Sequence, residues 1–593
     1  MKKIISAFIA VMLIMSSCFV AFAQDSKTPI STLTYDQYNY YDCELDEYGL
    51  GALENTDKNL EKEGIIDYDE NNAERYNVVN SRDLQSVVDL SADPSFPPIR
   101  SQGWVNSGCS WATTYYQFGY QVANMDINNW NVNSLSNTSE QFSPKFVFNQ
   151  VNGGDNIGSS FEFNYEVLKT RGAVRYDKFT PLSTHSFLEC LEWCTNVNDQ
   201  TQALEYKISE YEKRFIAPTY IYTPITFPNS TYISTIKNYI STGHVLTFST
   251  SFGKQRVADE NSIPGYSNGR TNIDWVYKLL SSGDHSGEKV CIKCEDKSSQ
   301  EFPGETFNQA LSIVGYDDTI WYDYDEDGIQ DNFEMGAFKV ANSHGTGYGN
   351  DGFIWVMYDA FNKESNCNNY NIHRLPVMTN YNYYCIEVEK SNRDLLVYVN
   401  VSQSQRNKMF IGLYSIDSLY NTNGNSVLPN QGGYYHFDGT TPTVPQTATF
   451  VFDFDILASG DRPWCNYQVF IGNSYNASPT YVNNITIMDR TGKVIESNNY
   501  NDTINCSSIS YDHYIGMMGD IDNNGTIDNA DVLLVQYYAS ELATLTDSQK
   551  LVADVSDDGY VTTYDATLIQ QKILGTVVEF PNGAFSHLYS INI

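Results

Sequence analysis

Gln102-Gly-Trp-Val-Asn-Ser-Gly108-Cys109-Ser110-Trp111-Ala112-Thr-Thr-Tyr-Tyr-Gln117 is the stretch from which the rest of the chain can be placed. A Gln-Gly turn leads through small residues into Trp-Ala and a run free of helix breakers, so a helix starts at the small cluster. A thiol there sits at a helix N-terminus, where unpaired N–H groups favour the thiolate. Upstream, residues 24–87 are polar and acidic with little apolar periodicity, which reads as a disordered leader; the pattern changes at Val88. The 593 residues are too many for one core, and roughly two to four domains are expected.

Downstream come Ser139-Glu-Gln141 and Asn152-Gly-Gly154, then Asn308-Gln309-Ala-Leu-Ser-Ile-Val-Gly-Tyr-Asp317 and Ala341-Asn342-Ser343-His344-Gly345. In this order, these motifs and the opening stretch resemble the papain-like cysteine peptidases over about Val88 to Pro376. The resemblance implies an α+β domain at 88–376 with Gly153 and Gly154 lining a substrate groove. It makes Gln102 the oxyanion donor and Asn342 the group that orients a catalytic imidazole. The nucleophile and base are changed. Anchored on Trp111, the nucleophile position is Ser110, with Cys109 one residue and about 100° of helix away. The position of the base is Gln309, which takes no proton at neutral pH. His344 stands where the family usually has Trp, close enough in sequence to reach the same space. Gln102 to Trp111 is also two residues longer than in the family. The expectation is a degenerate centre, Gln102, Ser110, Gln309 and Asn342, with Cys109 and His344 as substitutes, in a homologue that binds peptide or protein. The alternatives are an active cysteine endopeptidase using Cys109 and a polysaccharide-binding accessory protein.

Two segments near the C-terminus repeat each other, Asp520 to Asp531 and Asp554 to Asp565, and each runs into an apolar helical stretch. Positions 1, 3, 5, 9 and 12 are Asp520, Asp522, Asn524, Asp528 and Asp531, then Asp554, Ser556, Asp558, Thr562 and Asp565. The carbonyls of Thr526 and Tyr560 supply position 7, and Gly525 and Gly559 make the turn at position 6. This donor set suits Ca2+. Twelve-residue loops set 34 residues apart, each closed by Asp and followed by a helix, resemble the type I dockerin over about Gly516 to Gly575. That module plugs secreted proteins into a cohesin domain of a cellulosomal scaffoldin. The resemblance implies cohesin contacts from Asn529, Ala530, Thr563 and Tyr564; the two pairs differ, so one face is expected to dominate. A third loop, Asp323-Tyr-Asp325-Glu-Asp327-Gly328-Ile329-Gln-Asp331-Asn-Phe-Glu334, repeats the carboxylate spacing with the Ile329 carbonyl at position 7. It reads as one structural calcium site in the papain-like domain.

Acidic residues outnumber basic ones 72 to 36, for a net charge of −36, which argues against nucleic-acid binding. Met1-Lys-Lys, the apolar run Ile4 to Ile14 and Ala21-Phe-Ala23 read as a signal peptide at 1–23. No later apolar run is long enough to span a bilayer. The expected location is therefore extracellular, attached to a cellulosome. Cys190 with Cys194 and Cys291 with Cys294 are close-spaced pairs that read either as cross-linked by disulfides or as a zinc site. Residues 379–505 alternate in short strands between Asn/Gly/Ser turns, the pattern of an all-β sandwich. Residues 506–515 read as a linker, 516–576 as a small all-α calcium-binding dockerin and 577–593 as a tail.

Overall fold

The computed structural model describes residues 84–588 with interruptions, the longest at 216–229, 258–272, 297–306, 362–373 and 455–464. The expected signal peptide and nearly all of the leader lie outside the described residues. All that is described falls in one compact unit, Glu47–Ile593.

The first domain is mixed α/β. Its strands are β1 (Val87–Asp89), β2 (Tyr206–Phe215), β3 (Leu246–Phe252), β4 (Arg256–Val257), β5 (Ile273–Leu279), β6 (Lys289–Asp296), β7 (Phe307–Trp321), β8 (Met335–Ala341), β9 (Phe353–Met357), β10 (Arg374–Leu375) and β11 (Asn382–Lys390). They form one sheet in the order β2-β11-β3-β7-β8-β9-β6-β5-β4, with β1 on β7 and β10 on β6. Helix α1 runs through three consecutive segments, Gly108–Ser110, Trp111–Phe118 and Gly119–Met125. The middle one is wound as a π-helix, a local widening that shifts which residues share a face. Helices α2 (Pro144–Val151) and α3 (Phe161–Arg171) start at serine caps, Ser143 and Ser160, whose side chains accept from Phe146 N–H and Phe163 N–H. Helices α4 (Val197–Ala203) and α5 (Ser230–Ser241) complete the domain.

Helix α1 lies between two cores. Trp111, Tyr115 and Tyr116 pack with the sheet residues Leu311, Ile313 and Val340. Cys109, Ala112, Phe118 and Val122 pack instead with Phe146, Val147, Tyr165 and Leu168 of α2 and α3. Anything held at the N-terminal end of α1 therefore sits where two lobes meet.

The second domain is a sandwich of two sheets. Strands β12 (Leu395–Gln403), β15 (Gln446–Asp453), β17 (Thr480–Asp489) and β18 (Val494–Ile504) form one, in the order β15-β12-β17-β18. Strands β13 (Met409–Asp417), β14 (Thr422–Leu428), β16 (Cys465–Asn473), β19 (Ser508–Met517) and β20 (Phe585–His587) form the other, in the order β14-β13-β16-β19-β20. Val397, Val399 and Val401 alternate inward against Ile411, Leu413, Val469 and Ile471, the period-2 burial expected of paired sheets. The third domain has three helices, α6 (Asn529–Ala539), α7 (Asp547–Ala553) and α8 (Thr563–Ile573), around Val532, Val535, Val552, Leu568 and Ile569.

Three boundaries read from the sequence need correction. Strand β11, expected to open the sandwich, pairs with β2 and β3 of the first sheet. It is buried on both faces, Tyr383 and Cys385 in one core and Tyr384 and Ile386 in the other. Apolar alternation marks a strand without naming its sheet. The expected linker at 506–515 falls almost wholly within β19, and part of the expected tail is β20, paired with β19. Phe585 enters the sandwich core and Leu588 the helical core, so the tail joins the last two domains.

The cysteine reading also changes. Cys190, Cys194 and Cys291 are buried thiols, with Cys194 in the core of α2 and α3 and Cys291 in the sheet core. The side chain of Cys294, on which the expected cross-link or zinc site also rests, lies outside the described residues. Of the histidines near these pairs in sequence, His185 lies outside the described residues. His285 is engaged elsewhere, with Glu288 Oε2 at 3.2 Å and Asp317 Oδ2 at 3.1 Å.

Candidate functional site

Strand β7 carries Gln309 into the junction between the lobes, paired in register with Thr250 of β3. Asn342 follows the last residue of β8. Gln102 is brought in by a backbone bond from its N–H to Ser343 C=O, 2.7 Å, beside a bridge between Ser101 and His344. These elements gather Gln102, Gln309, Asn342 and His344, all buried.

Gln309 organises the cluster. Its Nε2 donates to Asn342 Oδ1 at 3.0 Å and Gln102 Oε1 at 3.1 Å, which uses both amide hydrogens. Ser343 Oγ also donates to Gln102 Oε1, at 2.5 Å, and Gln102 Nε2 donates to Val105 C=O at 2.8 Å. His344 places Nε2 3.4 Å from Gln309 Nε2 and Nδ1 3.2 Å from Asn342 Nδ2. A neutral imidazole has one acceptor nitrogen, so only one of these contacts is a hydrogen bond. Gln309 Oε1 is buried without a hydrogen-bond partner.

Cys109 and Ser110 are turned to the other core. Ser110 Oγ donates to Asn164 Oδ1 on α3 at 2.5 Å, and Cys109 Sγ lies 3.6 Å from Asn164 Nδ2. Burial, with the charge of Glu162, pushes the Cys109 thiol well above its ordinary range, the opposite of what a thiolate nucleophile requires. The helix residue facing Gln309 is Gly108: a Cβ built there would lie 2.2 Å from Gln309 Oε1 and 2.8 Å from its Cδ. Anchoring the pattern on Trp111 pointed to Ser110 instead. In the turn between Gln102 and Trp111, Asn106 N–H bonds to Asn156 Oδ1 at 2.7 Å.

Gly153 is exposed and Gly154 is buried. Gly433 of the sandwich packs so closely that a Cβ on it would lie 2.5 Å from Gly154 Cα. The Asn152-Gly-Gly154 segment is thus contacted from within the chain.

The two C-terminal acidic loops fold alike. In the first, Asp520 accepts from Asn524 N–H and Gly525 N–H at 3.1 and 3.2 Å, and Asp531 from Ile521 N–H and Asp528 N–H at 2.7 and 2.9 Å. In the second, Asp554 accepts from Asp558 N–H and Gly559 N–H at 3.2 and 2.9 Å, and Asp565 from Ser556 N–H and Thr562 N–H at 3.0 and 2.8 Å. Gly525 and Gly559 turn at φ +87° and +84°, the left-handed conformation glycine adopts freely. Asp528 and Thr562 cap α6 and α8, each in a capping box with the Asp at position 12. The carboxylate oxygens of Asp520, Asp522 and Asp531 converge within 4.8 Å of one another. Burial, with the charges of Asp531 and Asp522, pushes Asp520 up to about 7. Crowded anions of this kind fit a hard cation. Calcium would be held by the first loop's Asp520, Asp522, Asn524, Thr526, Asp528 and Asp531, and by the corresponding residues of the second. Asn529, Ala530, Thr563 and Tyr564 are all exposed.

In the third loop Glu334 is fully buried, its Oε2 accepting from Trp321 Nε1 at 3.0 Å and Asp331 N–H at 3.2 Å. Asp323 Oδ2 accepts from Gly328 N–H at 2.9 Å. Asp325 lies outside the described residues.

Among solved structures, the chain is similar to xylellain, a cysteine protease from Xylella fastidiosa, at 15% identity over 58% of this chain and 97% of that one, with a TM-score of 0.33. It is similar to digestive procathepsin L 3 of Tenebrio molitor larval midgut at 11% identity over 59% and 81%, TM-score 0.31. The proform of Amb a 11, a ragweed pollen cysteine protease, matches at 13% identity over 52% and 67%, TM-score 0.29. No curated protein matches the chain. Residues 518–574 match the dockerin type I domain family, which identifies the C-terminal helical region as a dockerin, a module whose partner is a cohesin.

Proposed function

We propose that this is a secreted, cellulosome-attached protein, docked to a scaffoldin through its dockerin, whose papain-like domain holds a peptide or protein segment without cleaving it. The observation that carries this reading is Gln309, an amide at the position of the base, pressed against Gly108, which has no side chain to act as nucleophile. Acid–base assistance is typically worth about 10² to 10⁴-fold, and a buried, protonated Cys109 does not replace the thiolate. Exposure of the mature chain, reduced and with calcium, to a peptidyl epoxide that alkylates papain-type thiols is expected to give no adduct. An adduct on Cys109 would overturn the reading.

The calcium requirement follows from the loops: two ions in the dockerin, and one at Asp323, Asp325, Asp327, Ile329, Asp331 and Glu334 that ties β7 to β8. Cohesin contact is assigned to Asn529 and Ala530 on one helix start and Thr563 and Tyr564 on the other. Helix α6 continues from Ala530 with Leu533 and Tyr537, 47% and 48% exposed, where α8 has Thr567 and Gln571. The apolar stripe makes the α6 face the stronger one. In cohesin titrations Ala530→Arg should therefore weaken binding about tenfold more than Tyr564→Arg, a difference of about 1.4 kcal/mol; equal losses would contradict it.

A further inference from the structure

We infer that the place of the missing nucleophile is Gly108, and that Gln309 is folded into it as a plug, so that glycine and glutamine are a coupled pair. This rests on the non-hydrolytic reading above and goes beyond it in coupling the two residues, so that each accounts for the other. A side chain added at Gly108 would be directed at Gln309, meeting Oε1 at 2.2 Å, Cδ at 2.8 Å and Nε2 at 2.9 Å. Cys109 and Ser110 both contact Asn164 on α3 instead.

Only one end of the Gln309 amide is satisfied. Nε2 is fixed by Gln102 and Asn342, whereas Oε1, buried beside Gly108, has no hydrogen-bond partner. Buried polar atoms are nearly always paired, so the oxygen end is there as volume, filling the space a nucleophile's side chain would take. Gln102 Oε1 and Asn342 Oδ1 both accept from Gln309 Nε2, so a ring N–H placed at 309 has an acceptor waiting there.

The pair can be exchanged. In the full chain with calcium, Gly108→Cys with Gln309→His should put a thiol beside an imidazole held by Asn342. The thiol proton then passes to the imidazole, and the thiolate attacks iodoacetamide, forming S–C as C–I breaks and iodide leaves. Mapping of the label by mass spectrometry should find the introduced thiol reacting at pH 6 about tenfold or more faster than in Gly108→Cys alone. Equal rates would overturn the inference, as would Ser110→Cys with Gln309→His proving the reactive variant. A thermal-unfolding cycle keeps the claim testable if the exchanged pair does not fold. Gly108→Ala alone should lower the midpoint, and Gln309→Ala should recover most of that loss; strict additivity would overturn the coupling. Hydrolysis by the unsubstituted chain would refute the non-hydrolytic reading, while the unfolding cycle tests the Gly108 assignment on its own.

Discussion

Cys109 is the thiol that sequence reasoning placed nearest to a nucleophile, and its surroundings decide against reactivity. It is buried with Phe118, Phe142 and Tyr165, and desolvation together with Glu162 keeps it protonated. In the native chain at pH 8, iodoacetamide should label the exposed Cys506 and leave Cys109 untouched until denaturant is added. Labelling of native Cys109 at pH 8 would contradict this. At this scale the sequence was partly legible. Gln102, Gln309 and Asn342 lie in local motifs whose strands and turns fix their direction, and the structure brings them together with His344. Gly108 was not legible, because the face that α1 presents depends on the length of the preceding turn and on the π-wound segment. Neither is encoded by residue type at 108–111.

At the scale of elements, the joints between domains are specific. Lys207 on β2 reaches Asp453 at the end of β15 at 2.8 Å, with side chains 4% and 0% exposed, and Ser391 Oγ donates to the same carboxylate at 2.8 Å. Removing one partner of a buried ion pair strands the other charge, a loss of about 3–5 kcal/mol. Asp453→Ala should therefore lower the urea midpoint of the first two domains markedly. A change below about 1 kcal/mol, the worth of an exposed pair, would show that the joint is solvated. Strand β20 is the other joint. Its three residues carry no periodic signal, so the sequence showed only a tail, yet Phe585 and Leu588 close two cores. Truncation after residue 576 should destabilise the dockerin and weaken cohesin binding even with both calcium loops intact. Unchanged binding by the truncated chain would refute this role.

Over the whole molecule, the order α+β domain, sandwich and helical module was readable because each has a different period and turn chemistry; the exchange of strands across their boundaries was not. Calcium ties function to folding at this scale, since ligands that repel one another without the ion favour the folded loops only with it. Chelation with EDTA should abolish cohesin binding and reduce helical circular dichroism, and added calcium should restore both. The central proposal is that the Gly108–Gln309 contact leaves the first domain unable to hydrolyse peptides. Its most direct test is turnover of a broad set of fluorogenic peptides by the mature chain, under reducing conditions with calcium, beside the Cys109→Ala and Ser110→Ala variants. Release indistinguishable among all three and from the buffer blank is predicted; turnover that either substitution abolishes would contradict the claim.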